Sequence, residues 1–304
     1  MFGTTVDSAV ERCRRDSLLA SRGPTFVLDT TIDNDDTTLI ITETFSHIGK
    51  GEMIGIDYEL LYVTDTNTAA RTITVLRGYL GTTAASHTAG TLLEVAPRFP
   101  KSAFIDWAAH EILSWGRKLF RVTSIDIPIT AGVTHYSLPG VTGKVNSILG
   151  LHMDPVETTS NWWTWSWAGD HWLSASARLQ RGLQSTADTV ELQLRNRPNV
   201  TTNSRLSIAQ PLNMTTFTDA TDLVADVGMK AEWMDLLECG VKWRALSSTV
   251  IGRTDWRTSN VARAAEEVTP LDAVRAASHL RDLRNLKLSD AMVDLRGDWP
   301  WRER

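Results

Sequence analysis

Residues 59–97 read ELLYVTDTNTAARTITVLRGYLGTTAASHTAGTLLEVAP, and the pattern of this stretch decides how the rest of the chain is parsed. Leu61-Tyr62-Val63 and Thr72-Ile73-Thr74-Val75 are short β-branched or aromatic runs of alternating character, which predicts two half-buried strands. The polar link 65–70 between them predicts a hairpin. Arg77-Gly78 ends the second strand, and Gly81 and Gly90 bracket a small, polar loop. Glycine suits a loop that needs positive φ or close backbone approach. His87 sits in that loop among small residues, where it is expected to satisfy backbone groups of the turn.

Toward the N-terminus the β character continues. Phe26-Val27-Leu28, Thr38-Leu39-Ile40-Ile41 and Met53-Ile54-Gly55-Ile56 are separated by breakers such as Asp33-Asn34-Asp35-Asp36 and Gly49-Lys50-Gly51. Short strands with turns at this spacing predict a small barrel or sandwich. Asp33, Asp35 and Asp36 lack the Gly and the distant Glu of a calcium loop, so they read as a turn. Before this module, residues 4–21 predict a helix. Thr4 and Asp7 have capping-box spacing, Val6, Val10 and Cys13 make a narrow apolar stripe, and Gly23-Pro24 stops it.

Toward the C-terminus, residues 101–122 predict a second helix, with Phe104, Ala108, Ile112, Trp115 and Leu119 on one face. His110 falls off that stripe and reads as a surface residue. From 123 to about 210 strand character returns, in 126–129, 135–138, 145–151, 189–194 and 205–209. Within it lies the run 161–172, NWWTWSWAGDHW. As a strand it would place Trp163, Trp165 and Trp167 on one face. An aromatic ladder inside the β segment, a subunit contact and a sugar-stacking platform all remain open for these three indoles.

Two further helices are predicted at about 227–251 and 270–290. The second starts on Thr269-Pro270-Leu271-Asp272, with an N-cap Thr, Pro at the first helical position and an acid in the first turn. Its Arg275, Arg281, Arg284 and Lys287 suit the helix dipole. The last stretch holds Trp299, Pro300, Trp301, Arg302 and Arg304. A disordered tail normally lacks such indoles, so they either fold back on their own subunit or anchor in a neighbour as an arm.

Composition narrows the function classes. Hydrophobic residues at 42% and charged residues at 22% are ordinary for a globular chain, and 304 residues suffice for more than one core. A net charge of −5 argues against a general nucleic-acid binder. Twelve tryptophans against four tyrosines imply extra core or extensive interfaces. No apolar run reaches membrane-spanning length and the first residues lack a signal-peptide core, so a cytoplasmic origin without membrane contact is expected. Cys13 and Cys239 carry no surrounding motif and read as buried thiols. No nucleophile elbow, Walker loop, zinc motif or paired-cysteine pattern occurs. We therefore expect no catalysis, no cofactor and no metal site.

The expected fold class is α+β: a four-helix body with two inserted β-rich segments, each a small barrel or sandwich, and an extended C-terminal arm. Its segments are 1–23, 24–100, 101–122, 123–212, 213–294 and the arm 295–304. The order Thr-X-Thr-Val-X-Arg-Gly followed by X-X-Gly-Thr-Thr-Ala-Ala-X-His-X-X-Gly, here Thr72 to Gly90, resembles a small β module of virion structural proteins of tailed bacteriophages. The order of helices and insertions, ending in an aromatic arm, resembles the head-to-tail adaptor (head-completion or connector) proteins of those phages. That resemblance implies a structural virion protein in the neck, made in the host cytoplasm. It implies a homo-oligomeric ring, a dodecamer in that family, beneath the portal protein. It further implies contact with the next neck or tail protein, a stopper or tail terminator, and DNA transit through a channel without specific binding. Trp299, Trp301, Arg302 and Arg304 would then bind the portal, and Trp163, Trp165 and Trp167 would be candidates for the subunit interface. The alternative is a tail or baseplate structural or carbohydrate-binding protein that meets the host envelope.

Overall fold

The computed structural model describes residues 3–15, 24–138, 141, 145–153, 177–181, 190–194, 201–254 and 270–298. It is an α+β protein whose chain divides into two compact units. The first gathers Met1–Ser114, Thr216–Leu223 and Ala231–Lys287, and the second Trp115–Thr215, Val224–Lys230 and Leu288–Arg304.

The chain enters the first unit through helix α1 (Val6–Arg14). Thr5, not Thr4, is its N-cap, with Oγ1 accepting from the Ser8 N–H. Thr4 instead donates its hydroxyl to Asp222 at 2.7 Å, so the expected capping box is displaced by a tertiary partner that local spacing does not encode. Val6, Val10 and Cys13 are buried on one stripe, joined by Ala9.

Six antiparallel strands follow: β1 (Thr25–Val27), β2 (Thr38–Ile40), β3 (Met53–Ile56), β4 (Glu59–Asn67), β5 (Thr72–Leu76) and β6 (Leu92–Val95). Their order in the sheet is β1-β6-β3-β4-β5-β2. The two outer strands then meet at the bridge Leu28↔Ile41, supported by Asp29 N–H to the Ile40 carbonyl at 2.8 Å and Thr42 N–H to the Val27 carbonyl at 3.0 Å. The sheet is thus curled onto itself as a small barrel, its outer strands meeting at this one bridge. Alternation along each strand fills it: Leu39, Ile41, Ile54, Ile56, Leu61, Val63, Ile73 and Leu93 have no exposed surface. Burying each such side chain is worth about 1.5–3 kcal/mol.

Helix α2 (Lys101–Trp115) leaves the barrel through the ring cluster of Phe99, Phe104 and Trp107. It stops well short of residue 122. The reason is that Arg121 and Val122 pair with Gln210 and Ala209 in a sheet, a long-range partner that helical periodicity cannot reveal. Helix α3 (Met234–Thr254) starts later than expected, after a 3-10 turn at Ala231–Trp233. Helix α4 (Pro270–Asp298) is longer than expected, so residues 295–298 of the anticipated arm are helical. Trp299, Trp301, Arg302 and Arg304 lie outside the described residues.

Two three-stranded sheets dominate the second unit. One orders β7 (Arg121–Ile129), β12 (Thr202–Gln210) and β9 (Ser147–Met153); the other orders β10 (Ala177–Arg181), β11 (Val190–Leu194) and β8 (His135–Ser137). Ile127, Ile129, Leu206 and Ile208 from the first share one core with Tyr136, Leu192 and Leu194 from the second. Pro128 sits in β7, at the outside of its sheet, where a missing donor is tolerated. Trp163, Trp165 and Trp167 lie outside the described residues.

Candidate functional site

Three features of the first unit gather its charged side chains. The first is built from the motif of residues 72–90. Glu59 opens β4 and has a fully buried side chain. Arg77 donates to it in a two-pronged pair, Nε to Oε1 and Nη2 to Oε2, both at 2.8 Å. The Gly78 N–H reaches Oε1 at 3.0 Å and the Ala85 N–H reaches Oε2 at 3.1 Å. His87 Nε2 lies 3.0 Å from Oε2, while its Nδ1 lies 3.0 Å from Asp57 Oδ2. Arg77 also donates Nη1 to the carbonyls of Asp33 and Asp36, at 2.7 and 2.9 Å.

This corrects the expectation for His87. Its backbone does bond the turn, through Ile32, but its imidazole is committed to two carboxylates. Asp33 and Asp36 are accounted for by the turn they form and by Arg77. Burial alone would raise the Glu59 carboxyl, yet the bonds from Arg77, His87, Gly78 and Ala85 outweigh it and hold Glu59 at about 2. A carboxylate so saturated with donors has little basicity left to move a proton. Its chemistry is that of a staple which pins the 78–87 loop to the barrel. Gly78 is needed for it: its φ is 61°, and a Cβ there would stand 2.9 Å from the Thr82 carbonyl oxygen.

The second feature joins helices. Glu111 of α2 is fully buried and accepts from Arg244 Nε of α3 at 2.9 Å and from Arg284 Nε of α4 at 2.7 Å. Arg284 Nη2 also donates to Ser114 Oγ at 2.7 Å. Both guanidiniums lie over the Trp243 ring, at 5.4 and 5.9 Å from its centroid, a cation–π arrangement. Gly240 makes room, since a Cβ there would come within 2.3 Å of the Glu111 carboxyl carbon. Arg12 of α1 pairs with Glu238 of α3, and Lys287 of α4 with Asp235 of α3 at 3.2 Å. All four helices are therefore cross-linked by ion pairs.

The third feature is an open cleft of about 990 Å³ between the barrel, α1, the start of α2 and the loop carrying Phe217. Leu80 is at its mouth, and Asp7, Asp57, Asp106 and Asp219 line it with Lys101. The Tyr58 hydroxyl donates to Asp7. Burial first, then the carboxylates of Asp7, Asp219 and Glu11, push the Tyr58 phenol well above its ordinary range, so it acts here as a donor and not as a base.

Among the described residues, no group of three or more His, Cys, Asp or Glu is placed to hold a metal ion. His110 is exposed. Cys13 is buried and Cys239 half-buried, both as free thiols. No helix of the described residues is long and apolar enough to cross a membrane. Sequence reading singled out Arg77, Gly78 and His87 as a motif but missed Glu59, on which they converge. It also missed Glu111, whose only sequence signal is an acid placed within the apolar stripe of α2; the other acid of that helix, Asp106, is exposed. Compared with known proteins, the chain matches no family model and no curated protein.

Proposed function

We propose that this chain is a structural, non-catalytic virion protein of a tailed phage, a head-to-tail adaptor that forms a ring under the portal. The observation that carries the proposal is the Glu111 clamp. Helices from four separate stretches of sequence are tied together through α3 by ion pairs, with a β barrel threaded between α1 and α2. A helical frame with β insertions suits a part that must stay rigid while its faces meet several partners. The saturation of Glu59 supports a scaffolding role for the motif that resembles phage virion modules, since it leaves that carboxylate little to do in catalysis.

On this reading Trp299, Trp301, Arg302 and Arg304 dock on the portal, and the opposite end of the ring meets a stopper or tail terminator. DNA passes through without specific binding, in keeping with the net charge of −5. The protein acts in the neck of the virion after assembly in the host cytoplasm. Removing residues 299–304 leaves α4 whole and is expected to give DNA-filled heads that fail to join tails in electron micrographs of lysates. Infectious particles assembled from the truncated chain would overturn the portal-docking role. Loss of glycan binding in a Trp163→Ala, Trp165→Ala variant, with normal neck assembly, would favour an envelope-binding tail protein instead.

A further inference from the structure

The mouth of the acidic cleft carries a side chain that is costly to keep there. Leu80 is 69% exposed, more than any other large apolar residue among those described as exposed. Its φ of 54° puts it in the left-handed region, which costs a leucine about 1–2 kcal/mol. The loop is nevertheless held firmly. Gly78 and Ala85 donate to Glu59, the Leu60 N–H donates to Thr82 Oγ1 at 3.0 Å, and Tyr79 packs on Tyr62 with ring centroids 5.0 Å apart. The fold therefore spends backbone strain and pinning bonds to present one leucine to solvent. Behind it, Ile105 and Phe217 give the cleft a half-buried apolar floor. Asp7, Asp57 and Asp106 are exposed along it, and Lys101, which lines the same cleft, is already paired with Glu11 at 2.7 Å.

The same unit carries a surface of opposite character. On α4, Val274 is 42% exposed and Leu286 59% exposed, and Arg275, Arg281 and Asp282 are exposed on the same broad solvent side of the helix, Arg281 beside Val274 and Arg275 about a quarter-turn round from them. Arg281 meets only its neighbour Asp282, at 3.4 Å, among the ion pairs described for it. With side chains 54% and 69% exposed, such a pair is worth little and is readily exchanged. An acid-lined apolar cleft and an arginine-flanked apolar helix face are complementary in both hydrophobicity and charge. Two different, complementary patches on one chain define a head-to-tail contact between copies.

We propose that the Leu80 cleft of one copy receives the solvent side of α4 that carries Val274, Arg275 and Arg281 from a second copy. The inference stands on these surfaces alone and holds whether or not the assembly sits in a virion neck. Sedimentation of the full chain over a range of concentrations and salt tests it. The wild type is expected to self-associate, less so at high salt. Leu80→Asp, which places a residue tolerant of left-handed backbone there, and Arg275→Glu with Arg281→Glu should each weaken association about tenfold or more, and neither should lower the thermal transition at concentrations where the wild type is monomeric. Mixed one to one, the two variants should form a dimer and nothing larger, because each retains one intact patch. A wild type that stays monomeric throughout, variants that associate as the wild type does, or a mixture that fails to pair would overturn the proposal.

Discussion

Glu59 and Glu111 are both fully buried, and both are neutralised by arginine, yet they recruit their partners at opposite scales of sequence. Everything bonded to the Glu59 side chain lies between residues 77 and 87. Glu111 instead draws on Arg244 and Arg284, which are 133 and 173 residues away. The environments differ as well. Arg77 and His87 are 7% and 4% exposed, so the barrel clamp is sealed, whereas Arg244 at 24% keeps an outlet to water. A sealed clamp cannot lose its centre without stranding charge; a partly vented one can let Arg244 turn outward. The local clamp shapes a loop, and the distant one assembles a frame.

The most severe way to break the comparison is Glu59→Ala, which strands Arg77, His87 and two backbone amides. We expect a loss of about 3–5 kcal/mol in urea unfolding. Acid should act through the same group. Glu59 is held at about 2, below its ordinary 4.5, so its contribution is complete above pH 4.5 and is lost as pH falls through 2. That contribution is about 3 kcal/mol, and Glu59→Gln should flatten the corresponding part of the stability-against-pH curve. Glu111→Gln keeps one acceptor oxygen and leaves Arg244 an outlet to water, so about 2–3 kcal/mol is expected. A loss equal to that of Glu59→Ala would show that venting does not matter.

Gly240→Ala pushes a methyl into the Glu111 side chain and should cost about 1–2 kcal/mol. Much of that cost should vanish in a Glu111→Ala background, which a double-mutant cycle would read. The smallest effect is also a gain: Leu80→Gly relieves left-handed strain and should raise stability by at most about 1 kcal/mol, net of the extra freedom of glycine in the unfolded chain.

The same contrast of scale governs what could be read beforehand. The barrel strands were legible because Thr72, Ile73, Thr74 and Val75 alternate and because breakers punctuate them. Arg77, Gly78 and His87 were legible as a pattern because they lie within one loop. Glu59 was not, since an acid at the start of a strand looks like any surface residue until its donors converge on it. The Glu111 clamp had only an acid set among apolar residues to mark it, because its partners Arg244 and Arg284 lie 133 and 173 residues away. Helix ends erred for the same reason: Arg121 and Val122 continue a helical period but are claimed by Gln210 and Ala209. Strand Ala177–Arg181 went unread because Arg178, Gln180 and Arg181 lack an apolar alternation. Trp163, Trp165, Trp167, Trp299 and Trp301 lie outside the described residues.

The distance between Glu111 and its second arginine sets an order of events during synthesis. The barrel is complete as soon as β6 has left the ribosome, so it is free to fold while most of the message is still untranslated. Glu111 emerges soon afterwards and must wait for 173 more residues before Arg284 exists to meet it. Throughout that interval the nascent chain carries a finished β module beside helices whose frame has no keystone. The self-contact proposed above needs residues 274–281 of α4, so it cannot form between such chains until translation is nearly over.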